Sequence, residues 1–283
     1  MDALVSTEWL ADEIDTMRSD LRVFDCTVVL RRSGDGPFEV ESGRRAYDDG
    51  HIPGSAFLDQ VDELSDPSSD LRFTALAPEA LAHAFGRRGI GAGTRVVLYD
   101  RAFNMWATRA WWLLRSIGFD SAAVLDGGWR AWGADGREVS TAPAPVHPPA
   151  ALVAEPRPGT VVGRAEVEAA LAEDRVCLVN ALSPELHDGT DASYGRPGHI
   201  PSSRNVYAVD LVDPDTHRYR PLDELRRVFA DAGVEGERIV TWCGGGIAAT
   251  SDAFVLSLLG HGDVGIYDGS LSDWVAAGLP LEV

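Results

Sequence analysis

Three short motifs occur in the same order in both halves of this chain. Gly50-His51-Ile52-Pro53-Gly54-Ser55 returns as Gly198-His199-Ile200-Pro201-Ser202-Ser203, 148 positions later. Arg95-Val96-Val97-Leu98-Tyr99-Asp100 returns as Arg238-Ile239-Val240-Thr241-Trp242-Cys243, 143 positions later. Leu125-Asp126-Gly127-Gly128-Trp129-Arg130-Ala131-Trp132 returns as Tyr267-Asp268-Gly269-Ser270-Leu271-Ser272-Asp273-Trp274, 142 positions later. An offset that drifts by a few residues while the order holds is what changing loop lengths leave in a duplicated unit. The chain must therefore fold as one plan used twice.

The seam between the copies is rich in proline, from Ser140-Thr141-Ala142-Pro143-Ala144-Pro145-Val146-His147-Pro148-Pro149 to Glu155-Pro156-Arg157-Pro158-Gly159. Proline at this density continues neither a helix nor a central strand and favours an extended connector. The expected organisation is a first domain over 1–140, a linker over 141–158 and a second domain over 159–283, each within the usual size for one core.

Inside each copy, apolar β-rich runs alternate with stretches of helical periodicity. Arg22–Cys26, Arg95–Tyr99 and Ala122–Leu125 are expected as buried strands, with helices over Pro78–Arg87 and Ala107–Ile117. The second copy offers strands at Val176–Val179, Ile239–Trp242 and Val264–Tyr267, and helices at Leu222–Ala230 and Ala249–Leu259. Such alternation predicts an α/β fold: two tandem domains, each a mostly parallel sheet with helices on both faces.

Charge excludes whole classes of partner. With 44 acidic against 25 basic residues the net charge is −19, spread along the chain. That surface repels phosphate backbones and anionic lipid, so neither nucleic acid nor membrane is an expected partner. The start, Met1-Asp2-Ala3-Leu4-Val5, lacks a basic and apolar leader pattern, and no apolar run reaches membrane-spanning length. A cytoplasmic protein is expected. Cys26, Cys177 and Cys243 are 151 and 66 residues apart, with no paired or zinc-like spacing. An odd, scattered set suits reduced thiols better than a disulfide framework or a zinc site, and the expected reading of the chain includes neither a metal nor an organic cofactor.

Cys243 stands apart from the other two. It ends the strand Arg238–Trp242, and Gly244-Gly245-Gly246-Ile247-Ala248 lead from it into an apolar helix. In open α/β sheets the chemistry collects at the carboxyl ends of strands. Three glycines let successive N–H groups turn inward, and a helix N-terminus adds its positive end, so the loop is built to hold a negatively charged sulfur. A thiolate there is a nucleophile. Cys26 and Cys177 lie in apolar runs, where a cysteine is filler. A cysteine-dependent phosphatase needs an arginine six residues beyond its nucleophile, where this chain has Ala249, and no Gly-Lys-Ser/Thr phosphate loop occurs.

These residues together resemble the tandem-domain rhodanese family of sulfurtransferases over nearly the whole chain. The likeness rests on the His-Ile-Pro turn in both halves, Trp111-Trp112, the Cys-x-x-Gly loop and Tyr267-Asp268-Gly269-Ser270. It implies that the first domain has lost its cysteine, with Asp100 in that place, and that only the second is catalytic. It further implies ping-pong chemistry on small sulfur donors: Cys243 takes sulfur from thiosulfate or 3-mercaptopyruvate as a persulfide and passes it to cyanide, a thiol or a protein cysteine. The N–H groups of Gly244, Gly245, Gly246, Ile247 and Ala248, and the Ser270 hydroxyl, would bind the transferred sulfur. Asp268 would brace the structure.

Departures from the family pattern concentrate at the donor site. Basic residues directly after the cysteine, or a serine two positions after it, are replaced by Gly244 and Gly245, and the loop-closing hydroxyl by Ala248. The family's Asp-x-Arg at the end of the first strand of the second domain reads Asn180-Ala181-Leu182 here, and a second basic position falls among His187 and Asp188. Arg196 and Arg109 are the candidate replacements for the lost anion clamp. His51 and His199 are expected to fix their turns, and Trp242 to sit in the core. Two alternatives stay open: a persulfide carrier loaded by a partner protein's cysteine, and a non-catalytic binding module that has kept the cleft.

Overall fold

The computed structural model describes residues 1–32 and 38–283. Its strands in chain order are β1 (Leu4–Val5), β2 (Leu21–Asp25), β3 (Val28–Arg32), β4 (Phe38–Ser42), β5 (Ser55–Phe57), β6 (Arg95–Tyr99) and β7 (Ala122–Leu125) in the first half. The second half carries β8 (Val161–Val162), β9 (Val176–Asn180), β10 (Arg204–Asn205), β11 (Arg238–Trp242) and β12 (Val264–Tyr267). The first sheet has the order β1-β7-β6-β2-β5 and the second β8-β12-β11-β9-β10, with every pairing parallel. Position for position, the two orders are the same.

Side chains alternate across each sheet, and the alternation assigns them to different cores. In the first sheet Phe24, Val96, Leu98 and Val124 face one way, while Val23, Val97, Tyr99 and Ala123 face the other and pack with Leu10 and Trp132. In the second, Leu178, Val240, Trp242 and Tyr267 pack outward on Val167, Leu271 and Trp274. Val179, Ile239, Val264 and Ile266 point inward and belong to the same cluster as Phe24 and Leu98. The inner faces of both sheets thus share one continuous core.

At its centre the helix Met105–Ser116, which follows β6, packs on the helix Ala248–Leu258, which follows β11. Thr108 and Ser251 are equivalent by the 143-residue offset, and their hydroxyls meet at 3.3 Å. That contact marks a pseudo-twofold axis between the halves. Contacts away from it come in exchanged pairs: the Ala75 N–H donates to Asp268, and the Tyr219 N–H to the matching Asp126, each at 2.8 Å. The connector runs extended over the first half, its Ala150, Glu155 and Arg157 N–H groups donating to the carbonyls of Gly86, Ile117 and Ser116.

Strand and helix limits shift by one or two residues from the expected ones, because caps and register decide the ends. Two things differ in kind. Short edge strands β1, β5, β8 and β10 carry too few residues to show a period. The antiparallel β3–β4 hairpin, paired from Val28↔Ser42 to Arg32↔Phe38, stands outside both sheets.

Candidate active site

Strand β11 is central in the second sheet, flanked by β9 and β12, and Cys243 is the first residue beyond its carboxyl end. The side chain is 2% exposed and lies on a cavity of about 500 Å³ between the halves. The second half supplies Gly244, Gly245, Ile247 and Ala248 of the loop, together with Leu182, Ser193, Tyr194 and Ser272. The first half supplies Val28, Leu30 and Val40 from the hairpin, Asp70 to Phe73 from a crossing segment, the irregular stretch that reaches the second half where the Ala75 N–H meets Asp268, and Ala102, Phe103, Met105 and Trp106 beyond β6.

Behind the loop lies a layer of buried supports. The Ser270 hydroxyl accepts from the Cys243 and Gly246 N–H groups, both at 3.1 Å, and donates to the Tyr267 carbonyl at 2.7 Å. To do so Ser270 adopts a left-handed φ of 50°, where its counterpart Gly128 has 53°. The Leu271 N–H donates to the Cys243 carbonyl, as Trp129 does to that of Asp100. Gly246 has φ 76°, and a Cβ there would stand 2.6 Å from the Asp268 carbonyl, so this glycine is required. Arg109 crosses from the first half to donate to the Gly246 carbonyl at 3.2 Å and the Phe73 carbonyl at 2.7 Å, and pairs with Asp268 at 2.6 Å.

The geometry places the expected site residues as follows. Arg109 does not line the cavity; its guanidinium is spent beneath the loop. Arg196 donates to the Leu279 carbonyl at 2.7 Å and does not line the cavity either. Ser270 and Gly246 also lie behind the wall, and the Gly246 N–H is already taken by Ser270. Leu182 does line the cavity, so an apolar side chain stands at the position of the family's clamp. His187 stacks on His199 at 3.7 Å, and burial together with that neighbour pushes its pKa down to about 4, leaving it neutral near pH 7. His51 and His199 each place Nδ1 on a local carbonyl, that of Tyr47 and that of His187. Burial pushes the Cys26 and Cys177 thiols up, and neither lines the cavity.

The matching loop of the first half is occupied from within. The Asp100 carboxylate accepts four backbone N–H groups: Ala102 and Asn104 on Oδ1 at 2.6 and 3.1 Å, Trp106 and Ala107 on Oδ2 at 2.8 Å each. Burial nevertheless pushes its pKa up to about 6. The duplicated strand-to-helix loop is therefore demonstrated, within this chain, to gather N–H groups around an anion.

A model of the rhodanese-like domain matches residues 6–135 and again 165–277. The chain belongs to the rhodanese family of sulfurtransferases. It is 31% identical to human 3-mercaptopyruvate sulfurtransferase over 294 residues, covering 99% of this chain and 94% of that protein. It is 31% identical to rat thiosulfate sulfurtransferase over 281 residues, covering 96% and 91%. The crystal structure of SseA from Escherichia coli, described as a 3-mercaptopyruvate sulfotransferase with the rhodanese fold, superposes with a TM-score of 0.79 at 28% identity, covering 96% of this chain and all of that one. Both halves of this rhodanese protein thus match the domain, while a cysteine stands at the strand-end position only in the second.

Sequence reasoning missed much of the wall opposite Cys243. The β3–β4 pair had a signal, an apolar Val28-Val29-Leu30 run followed in the sequence by the turn-favouring residue types of 33–37. Arg72, Phe73 and Tyr194 come from irregular segments with no periodic signal.

Proposed function

We propose that this protein transfers sulfur through a persulfide on Cys243, with the first domain (1–140) shaping the cleft, 141–158 linking, and the second domain (159–283) catalytic. The observation that carries this is a lone cysteine on a glycine loop at an interdomain cavity, in a loop type that collects N–H groups around an anion in the other half. The Cys243 thiolate attacks the outer sulfur of thiosulfate; the new S–S bond forms as the old one breaks, and sulfite leaves with the electron pair. From 3-mercaptopyruvate the C–S bond breaks instead, and the carbon fragment takes up a proton to become pyruvate. A thiophilic acceptor then attacks the outer sulfur and returns the Cys243 thiolate.

We assign the N–H groups of Gly245, Ile247 and Ala248, which precede or open the helix and have no intrahelical acceptor, to the charge on the outer sulfur. Ser270 and Arg109 are positioning residues that hold the loop from behind. Three free cysteines suit a reducing cytoplasm, and among the described residues no helix is long and apolar enough to cross a membrane. A carrier loaded by a partner's cysteine is disfavoured by the 2% exposure of Cys243, since the partner's sulfur would have to enter the cavity. Incubation with excess thiosulfate or 3-mercaptopyruvate followed by intact mass measurement tests the reading. One added sulfur atom is expected, and none in Cys243→Ser; no addition from either donor would overturn it.

A further inference from the structure

The wall facing Cys243 is made for something other than a small anion. Leu30 and Val40 of the hairpin, Phe73 of the crossing segment, and Phe103, Met105 and Trp106 beyond β6 turn apolar side chains to the cavity, and Leu182 stands where the family carries a cation. The charged side chains on this lining, among the described residues, are Asp70 and Arg72, of opposite sign and two positions apart. A volume of about 500 Å³ belongs to the range of cavities that enclose an organic ligand. A charged ligand body buried there without matched partners would lose hydration that nothing restores.

Both donors release anions, so neither uses these walls well. An acceptor thiol differs: its one charge is on the attacking sulfur, beside the loop N–H groups, and its body is free to be neutral. We infer that the sulfur acceptor of this site is a thiol with an uncharged, apolar or aromatic body, an inference that rests on the persulfide reading above. The thiol RSH gives its proton to the charged outer sulfur of the Cys243 persulfide and attacks that sulfur as RS⁻. The new RS–SH bond forms as the bond between Cys243 Sγ and the outer sulfur breaks, the electron pair returns to Sγ as thiolate, and the proton stays on the transferred sulfur. No oxidant or reductant enters.

The experiment loads the full-length protein with sodium tetrasulfide, removes excess, and verifies one added sulfur by intact mass. Unloading is then timed with benzyl mercaptan, 2-mercaptoethanol and glutathione, each rate normalised to thiolate concentration. Benzyl mercaptan is expected to exceed the other two by about tenfold or more in kcat/KM, the factor that burying one aromatic ring supplies. Leu30, 44% exposed, tolerates a charge without loss of core packing, so Leu30→Glu is expected to bring the ratio towards one; Val40→Glu serves as the second variant. If the protein loads but the three thiols unload it within about threefold of one another, or if both variants keep the preference, the inference is wrong. If tetrasulfide adds no sulfur to Cys243, the persulfide reading itself fails, which is a separate outcome.

Discussion

Ser270 offers a test of the loop's construction in which two substitutions must rank against habit. Its hydroxyl holds the Cys243 and Gly246 N–H groups and the Tyr267 carbonyl, and the residue is fully buried at φ 50°. Ser270→Ala leaves three buried backbone groups without that partner. Unmade bonds of this kind cost about 1–3 kcal/mol each, and with local relaxation the low end gives about 3 kcal/mol in total. Alanine also keeps the left-handed strain of about 1 kcal/mol that glycine does not have. Ser270→Gly should therefore be more stable than Ser270→Ala by about 1 kcal/mol, the reverse of the usual order at sites with negative φ. Urea unfolding at unchanged m-value reads the difference as a shift in midpoint. Both variants lose the same hydrogen bonds, so both should take up sulfur from thiosulfate about tenfold more slowly. An alanine variant as stable as the glycine one, or either within about 0.5 kcal/mol of the parent, would refute the reasoning.

Leu182→Arg introduces a cation on the cavity wall; a charge-assisted bond of about 1.5–3 kcal/mol should lower KM for thiosulfate roughly ten- to a hundredfold with kcat little changed, and an unmoved KM would count against the account of the missing clamp. Arg109→Met leaves the buried Asp268 carboxylate without its cationic partner and should cost about 3–5 kcal/mol in urea unfolding; a loss under about 1 kcal/mol would show the pair to be expendable. Asp252, at the position equivalent to Arg109, is wholly buried, its oxygens have no hydrogen-bond partner among the described residues, and burial pushes its carboxyl well up. The folded chain thus holds this proton, like that of Asp100, more tightly than the unfolded chain does. Stability is full below the ordinary aspartate range and is lost as pH rises through the raised values. The urea midpoint should fall between pH 5 and pH 8, and fall less in Asp252→Asn; an equal fall in both proteins would speak against it.

The repeat, the paired sheets and Cys243 were legible because each depends on local pattern: motif order, alternation, and glycines between a strand and a helix. The identity of the far wall was not. It is assembled by the pseudo-twofold packing of the Met105–Ser116 and Ala248–Leu258 helices, which brings Phe73 and Trp106 to a cysteine more than a hundred positions away. Arg109 shows the limit most clearly. Its residue type suited an anion clamp, yet burial at 2% exposure beside Asp268 and two carbonyls commits every face of the guanidinium to the protein itself. Ser270 is the converse case: the motif found the residue, but only the backbone angle and its three bonds say that it faces the loop's back.

The Asp100 carboxylate in the first-half loop is a ligand that cannot dissociate, because the chain carries it. Its loop is saturated at every stage of turnover, so the stability of that half has no term in substrate concentration. The Cys243 loop carries no such carboxylate, and the sulfur beside its N–H groups gains an atom and gives it up again in each turnover. By linkage, whatever binds the folded state alone raises its resistance to unfolding. The two loops of one duplicated plan thus differ in what they add to the folding free energy: a contribution independent of loading in the first, and one set by the state of loading in the second.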